Sequence, residues 1–125
     1  MASSILDNIK EMQKLDSENM ISFSVNAAKQ YEESAKNAEK TDLPYTKPRN
    51  IIIAGMGGSA IGGELVKDYT RNTSKIPIEI SREYNLPDYA NENSLVILAS
   101  YSGETEETLS AFTDAISRKC MIFCL

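Results

Sequence analysis

The sequence predicts an α/β fold: a parallel sheet with helices on both faces, three layers in all, preceded by a helical segment. Three observations carry this. Short, wholly apolar, β-branched runs such as "NIIIAG" and "SLVILAS" read as strands buried on both faces. Segments with helical spacing follow these two runs. Strands that alternate with helices in this way form parallel sheets.

Taken in order, residues 3 to about 40 read as helical and amphipathic. Ile5, Ile9 and Met12 are spaced for one helical face, as are Met20, Phe23, Ala27 and Tyr31. Asp16 and Ser17 are placed to break or cap between two helices. "YEESAKNAEK" reads as a solvated helix end, and "TDLPYTKPRN", with its two prolines, as a connector. The chain divides on this reading into a helical segment, 1–48, and an α/β part, 49–125.

From Asn50 the period changes. "NIIIAG" is the first strand, and "GMGGSAIGGELVKDYT" a turn leading into a helix. "IPIEIS" is the second strand and "SLVILAS" the third. "ETEETLSAFTDAISRK" is a helix with acids in its first turn and Arg118-Lys119 in its last, which complements the helix dipole at both ends. "CMIFCL" starts a fourth strand. A strand with no helix after it leaves a sheet face and an edge open. The sheet therefore reads as incomplete. A continuing segment is the preferred cover, ahead of another subunit.

A chain of 125 residues allows one modest domain that hides roughly two-thirds of its unfolded surface. The formal net charge of −5 argues against nonspecific binding to nucleic acid or anionic lipid, though not against binding one phosphate. No apolar run approaches the ~20 residues of a membrane span. The start, "MASSILDNIKEMQKL", lacks the order of a secretory signal, so a cytoplasmic protein is expected. Asn72-Thr73-Ser74 then reads as a loop rather than a glycosylation site. Cys120 and Cys124, if both lie on the last strand, sit ~13 Å apart, too far for a disulfide. They read as small core residues, not metal ligands. The chain has no histidine, which rules out a histidine-based triad or a histidine-bearing zinc site within it.

In an open parallel sheet, ligands collect at the carboxyl ends of the strands. Two loops leave such ends and enter helices: Gly55-Met56-Gly57-Gly58-Ser59 and Ser100-Tyr101-Ser102-Gly103-Glu104-Thr105. Glycines let backbone approach a ligand, and a helix N-terminus presents unpaired N–H groups to an anion. Ser59 adds a hydroxyl. In the second loop Ser100, Ser102 and Thr105 can turn three hydroxyls on one compact anion. Each hydrogen bond to a charged oxygen contributes roughly 1.5–3 kcal/mol, enough to hold a phosphate without lysine. Other readings stay open. Gly55-x-Gly57-x-x-Ala60 matches a dinucleotide fingerprint, with Glu79 or Glu83 where a ribose-binding acid belongs. Ser102 or Thr105 can instead cap the helix, with Glu106 and Glu107 in its first turn. Capping explains one hydroxyl well and three poorly, so the two loops together favour a phosphate ester. Glu104, Glu106 and Glu107 read as dipole-favoured surface charges rather than a catalytic base, and Arg82 as a surface arginine near the site rim.

"GMGGSAIGGEL", followed about forty residues later by "SYSGETEET", resembles the sugar isomerase (SIS) domain family, and more narrowly the N-terminal part of the bifunctional phosphoglucose/phosphomannose isomerases. The leading helices, "YNLP" and the basic residues before "CMIF" resemble that group too. The resemblance implies a flavodoxin-like SIS domain, present here in part over 49–125, whose loops hold the phosphate of a hexose 6-phosphate. Gly57, Gly58 and Ser59 would lie beside the phosphate. Ser100, Ser102 and Thr105 would grip it, and Gly103 would permit the tight loop. Glu104 stands where many relatives carry another residue. The implied reaction interconverts an aldose phosphate and fructose 6-phosphate through an enediol, without a cofactor or metal. Its carboxylate base, histidine and basic groups come from later parts of such chains and from a partner subunit, so no catalytic residue is assigned here. A homodimer is implied for the intact protein, and this chain alone is expected to be inactive. The alternative is a non-catalytic SIS module that senses a sugar phosphate.

Overall fold

The computed structural model describes residues 7–45 and 47–125, in two compact units, Met1–Pro44 and Tyr45–Leu125. The first unit carries three short helices: α1 (Ile9–Leu15), α2 (Ile21–Val25) and α3 (Ala27–Ala38). Ile5 and the expected helix start at residue 3 lie outside the described residues. The break falls where Asp16 was expected to make it. Its carboxylate accepts the Met20 N–H at 2.6 Å and the Ile21 N–H at 2.9 Å, so it caps α2. A second break at Asn26, between α2 and α3, has no signal in the apolar spacing and splits the expected Met20–Tyr31 face. Met20, Phe23 and Tyr31 are all exposed.

The second unit is the α/β part. Its strands are β1 (Asn50–Gly55), β2 (Ile78–Ser81), β3 (Ser94–Ala99) and β4 (Met121–Cys124), and its helices are α4 (Gly57–Thr70) and α5 (Glu106–Ser117). The sheet is parallel throughout, in the order β2-β1-β3-β4. This is the start of the flavodoxin-like order 2-1-3-4-5. β1 is central, and its burial on both faces explains an unbroken apolar sequence.

Side chains alternate across a strand, so the two helices are assigned to faces by what they touch. Ala111 and Ala115 of α5 join Ile52, Ala54, Val96 and Leu98 in one buried cluster, which Leu86 and Ala90 of the β2–β3 connection complete. α4 lies on the other face. A Cβ added at Gly63 would stand 2.9 Å from both Ile53 Cγ2 and Ile80 Cδ1, so glycine there lets the helix sit close on the sheet. Helices on opposite faces make the three layers expected. The chain moves outward from β1 in one direction through α4 and, from β3, in the other through α5. The switch point therefore lies at the tips of β1 and β3.

Two expectations are corrected. Arg118 and Lys119 do not form the last turn of α5. The helix ends at Ser117, Arg118 is its C-cap, and Lys119 follows with φ +57°. Arg118 instead clamps the β2–β3 connection. Its Nε donates to Asp114 at 2.8 Å and its Nη1 to the Pro87 carbonyl at 3.1 Å, while Asp114 accepts the Leu86 N–H at 2.9 Å. The cysteines are not both core residues. Cys120 precedes β4 and is half-buried against the core cluster, with burial pushing its thiol pKa up. Cys124 is exposed.

Candidate functional site

The two loops leave neighbouring strands whose ends are in register, Gly55 opposite Ala99. The tips nearly touch. A Cβ at Gly55 would meet the Ala99 carbonyl oxygen at 2.8 Å and Ser59 Cβ at 3.5 Å. Only glycine allows β1 to finish this close to β3 and to the first turn of α4.

The first loop is shorter than the sequence suggested. Met56 is already the N-cap of α4, so Gly57, Gly58 and Ser59 are the first helical residues. Gly57 has φ +52°, a left-handed conformation that favours glycine. No side chain caps α4; the Ser59 N–H donates to the Met56 carbonyl at 3.0 Å, which leaves the N–H groups of Gly57 and Gly58 for an anion.

The second loop is tied by its own hydroxyls. Ser100 Oγ and Thr105 Oγ1 are 3.0 Å apart, and Ser100 Oγ accepts the Gly103 N–H at 3.1 Å. Ser102 Oγ accepts the Glu104 N–H at 3.1 Å. Gly103, at φ +71°, makes the turn that brings residue 105 back to residue 100. Thr105 is the N-cap of α5, yet its hydroxyl makes no capping bond. The capping reading therefore fails for Thr105, and Ser102 closes a local turn instead. One hydroxyl hydrogen serves the Ser100–Thr105 pair. The other two of the three are uncommitted, as are the N–H groups at the start of α5.

The loops meet at the strand tips and diverge from there, since α4 and α5 cover opposite faces. Two hollows border the tips. One, of about 200 Å³, lies between α5 and β3–β4 against Ser100, Gly103 and Thr108, with Leu109, Phe112 and Leu125 as apolar walls. The other is a crevice too narrow for a water, bounded by Gly55, Met56, Arg82, Glu83, Glu107 and Thr108. Ser59 and Ser102 line neither of these two hollows. Thr108 walls both, and its hydroxyl is buried without a partner. Sequence reading passed over this residue. Its signal is a polar side chain one turn after Thr105, on the inward stripe otherwise made by Ala111 and Ala115.

The charged groups divide as follows. Arg82 reaches the crevice but is held by Glu64 at 2.9 Å. The Tyr84 hydroxyl lies 3.4 Å from Glu106, and its pKa is raised, first by the charge of Glu107. Glu79, a candidate ribose-binding acid, accepts the Tyr89 hydroxyl at 2.6 Å. Burial and that bond push the Tyr89 pKa up to about 12. Among the described residues no cluster of carboxylate or cysteine side chains is arranged to hold a metal. No helix of the described residues is long and apolar enough to cross a membrane.

No family model matches the chain. It is similar to a bifunctional phosphoglucose/phosphomannose isomerase of Caldicellulosiruptor bescii, 47% identical over 75 residues, which is 60% of this chain and 22% of that protein. A protein of the same description from Thermoplasma acidophilum is 40% identical over 76 residues, 61% of this chain and 24% of that protein. The matched stretch thus spans less than a quarter of the length of these curated relatives. Among solved structures, a Clostridium difficile protein provisionally described as a phosphosugar isomerase superposes with a TM-score of 0.56. It is 26% identical and covers 84% of this chain and 28% of its own. These likenesses, joined to a parallel sheet whose neighbouring tips each open a helix, support an SIS-type sugar isomerase family.

Proposed function

We propose that residues 49–125 are the phosphate-holding part of an SIS domain in an aldose–ketose isomerase that interconverts glucose 6-phosphate, and mannose 6-phosphate, with fructose 6-phosphate. The observation that carries this reading is the state of the Ser100–Thr105 loop. Its hydroxyls are gathered at an uncapped helix N-terminus beside a second one, with hydroxyl hydrogens left to donate. Neutral donors and helix N–H groups suit a dianion in a protein of net charge −5, because they bring positive potential without a basic cluster.

On this reading the chain binds and orients. Ser102 and one hydroxyl of the Ser100–Thr105 pair donate to phosphate oxygens, the N–H groups of Gly57 and Gly58 approach from the β1 side, and the Ser59 hydroxyl adds a donor. The sugar carbons then lie away from the sheet, where groups that move the C1–C2 proton must reach them. With no histidine here, such groups belong to other parts of an intact cytoplasmic homodimer. The reaction is one of proton transfer and ring opening, so no cofactor is required.

Isothermal titration with glucose 6-phosphate, glucose and NAD tests the proposal. Binding of the phosphate ester alone is the expected result, without turnover to fructose 6-phosphate. Binding of NAD in preference would return the first loop to its dinucleotide reading, and binding of none of them would overturn the site.

A further inference from the structure

We propose that the hollow at the C-terminal end of α4 is a second anion site, built for a phosphate chain of three or more charges, free or carried on a nucleoside. The hollow has a volume of about 280 Å³ and lies where the chain leaves α4 for β2. Lys67, Arg71 and Lys75 stand around it, and Ile76, Pro77 and Ile78 give it an apolar side. It is separate from the strand tips, which meet the other end of α4, ~20 Å away along the helix axis.

The grouping of charge here runs against the rest of the chain. Residues 49–125 hold more acids than bases, yet three of those bases share one hollow and no acid lines it. Arg82 and Arg118 are ion-paired. Among the described residues, none of Lys67, Arg71 and Lys75 has a carboxylate within ion-pair distance. Asp68, next to Lys67 in sequence, does not line the hollow.

The helix dipole accounts for Lys67 and Arg71, which stand at the negative end of α4. It does not account for Lys75. The Thr73 and Ser74 N–H groups both donate to the Thr70 carbonyl, at 2.9 and 2.8 Å, and the Ser74 hydroxyl donates to the Ile76 carbonyl at 2.8 Å. This tight turn brings residue 75 back to the helix end. Lys67 and Arg71 are already like charges four residues apart, a spacing that destabilises a helix. A third cation adds to that repulsion, and a multiply charged anion among the three reverses it.

The number of cations selects the ligand. A single phosphate, with at most two charges, leaves one cation unmet, whereas a triphosphate chain meets all three. Guanidinium and ammonium groups are well suited to phosphoryl oxygens. The side made by Ile76, Pro77 and Ile78 offers a flat base an apolar surface.

Calorimetric titration of the chain with magnesium-free ATP, inorganic tripolyphosphate and AMP tests this, with glucose 6-phosphate present in excess to fill the strand-tip site. ATP and tripolyphosphate are expected to bind, and AMP at least about tenfold more weakly than ATP. ATP tighter than tripolyphosphate assigns the apolar side to a nucleoside; equal affinities assign the free chain as the ligand. Arg71→Gln with Lys75→Gln should weaken both at least about tenfold, with a melting temperature that is unchanged or raised. Lys40→Gln with Lys119→Gln removes the same charge outside the hollow and should change affinity less than about twofold. Equal losses in the two double variants would overturn the site in favour of diffuse attraction, and no binding by the wild type would overturn it outright. Loss of ATP affinity when glucose 6-phosphate is added would also overturn it, by placing the triphosphate at the strand tips. A chain that binds ATP through Arg71 and Lys75 but does not bind glucose 6-phosphate keeps this site and removes the other.

Discussion

Ser100 Oγ lies 3.0 Å from Thr105 Oγ1, a contact across five residues that closes the loop between β3 and α5. The pair joins the strand tip to the helix N-cap, so the loop and the dipole of α5 point at the same volume. Ser100→Ala combined with Ser102→Ala is expected to weaken glucose 6-phosphate binding by about 3–6 kcal/mol, two hydrogen bonds to charged oxygens. The helical circular dichroism signal should not change. Calorimetric titration of the double variant checks both, and unchanged affinity would assign these hydroxyls to loop structure alone.

Gly103 is expected to resist substitution for a backbone reason. At φ +71° an alanine costs roughly 1–2 kcal/mol. No atom lies within 4 Å of its would-be Cβ, so crowding adds nothing. Gly103→Ala should therefore lower the urea midpoint modestly and displace Ser100 from Thr105, with a larger loss in ligand affinity than in stability. Equal losses in both would count against the loop as a binding element.

Much of the α/β part was legible because its signals are local. Three isoleucines in a row at 51–53, and Leu95–Leu98, admit a strand with both faces covered and little else. The loops were legible as glycine and hydroxyl clusters at strand ends. What escaped depends on distant partners. Nothing around Arg118 shows that it will leave the helix end for the Pro87 carbonyl, or that Asp114 will receive the Leu86 N–H. The half-exposure of β4, and with it the exposure of Cys124, depends on which neighbours flank that strand. The break at Asn26 was invisible because apolar spacing carries through it unchanged. Thr108 was missed since a threonine in a first turn reads as ordinary until its hydroxyl is found buried without a partner.

The Asp114 clamp gives a pH dependence with a definite sign. The hydrogen bond from Arg118 foremost, aided by the Leu86 N–H, holds the Asp114 carboxyl below the usual carboxylate range. A folded pKa below the unfolded value, about 4, means the contribution is whole above that value and fades as pH falls through the folded one. Asp114→Ala, which leaves the Leu86 N–H and Arg118 without their acceptor, should cost about 1–3 kcal/mol at neutral pH. The same variant should show a smaller drop in urea midpoint than the wild type on acidification below about pH 4. Parallel acid profiles for the two proteins would refute the clamp.

Gly63 and Gly62, adjacent in sequence, are expected to respond to alanine with opposite signs. At Gly63 the new methyl would press on Ile53 and Ile80 and cost about 1–3 kcal/mol through overpacking. At Gly62 it gains the helix propensity of alanine, roughly 1 kcal/mol. Thermal melts of the two variants measure both.

Tyr45 donates its hydroxyl to the Ile122 carbonyl at 2.6 Å. Leu125 turns both its N–H and its carbonyl toward β3, to Leu98 and Ser100, so by alternation the backbone of Ile122 and Cys124 faces away from the sheet. Among the described residues the tyrosine holds one rung of this outer ladder and its other rungs have no partner. A bare rim of this kind recruits extended segments indiscriminately, and a single phenol planted midway along it breaks the run of free rungs a stray peptide would need for continuous zipping. Removing that plug converts a guarded border into a template, and a preparation lacking it would be the one to turn cloudy on storage.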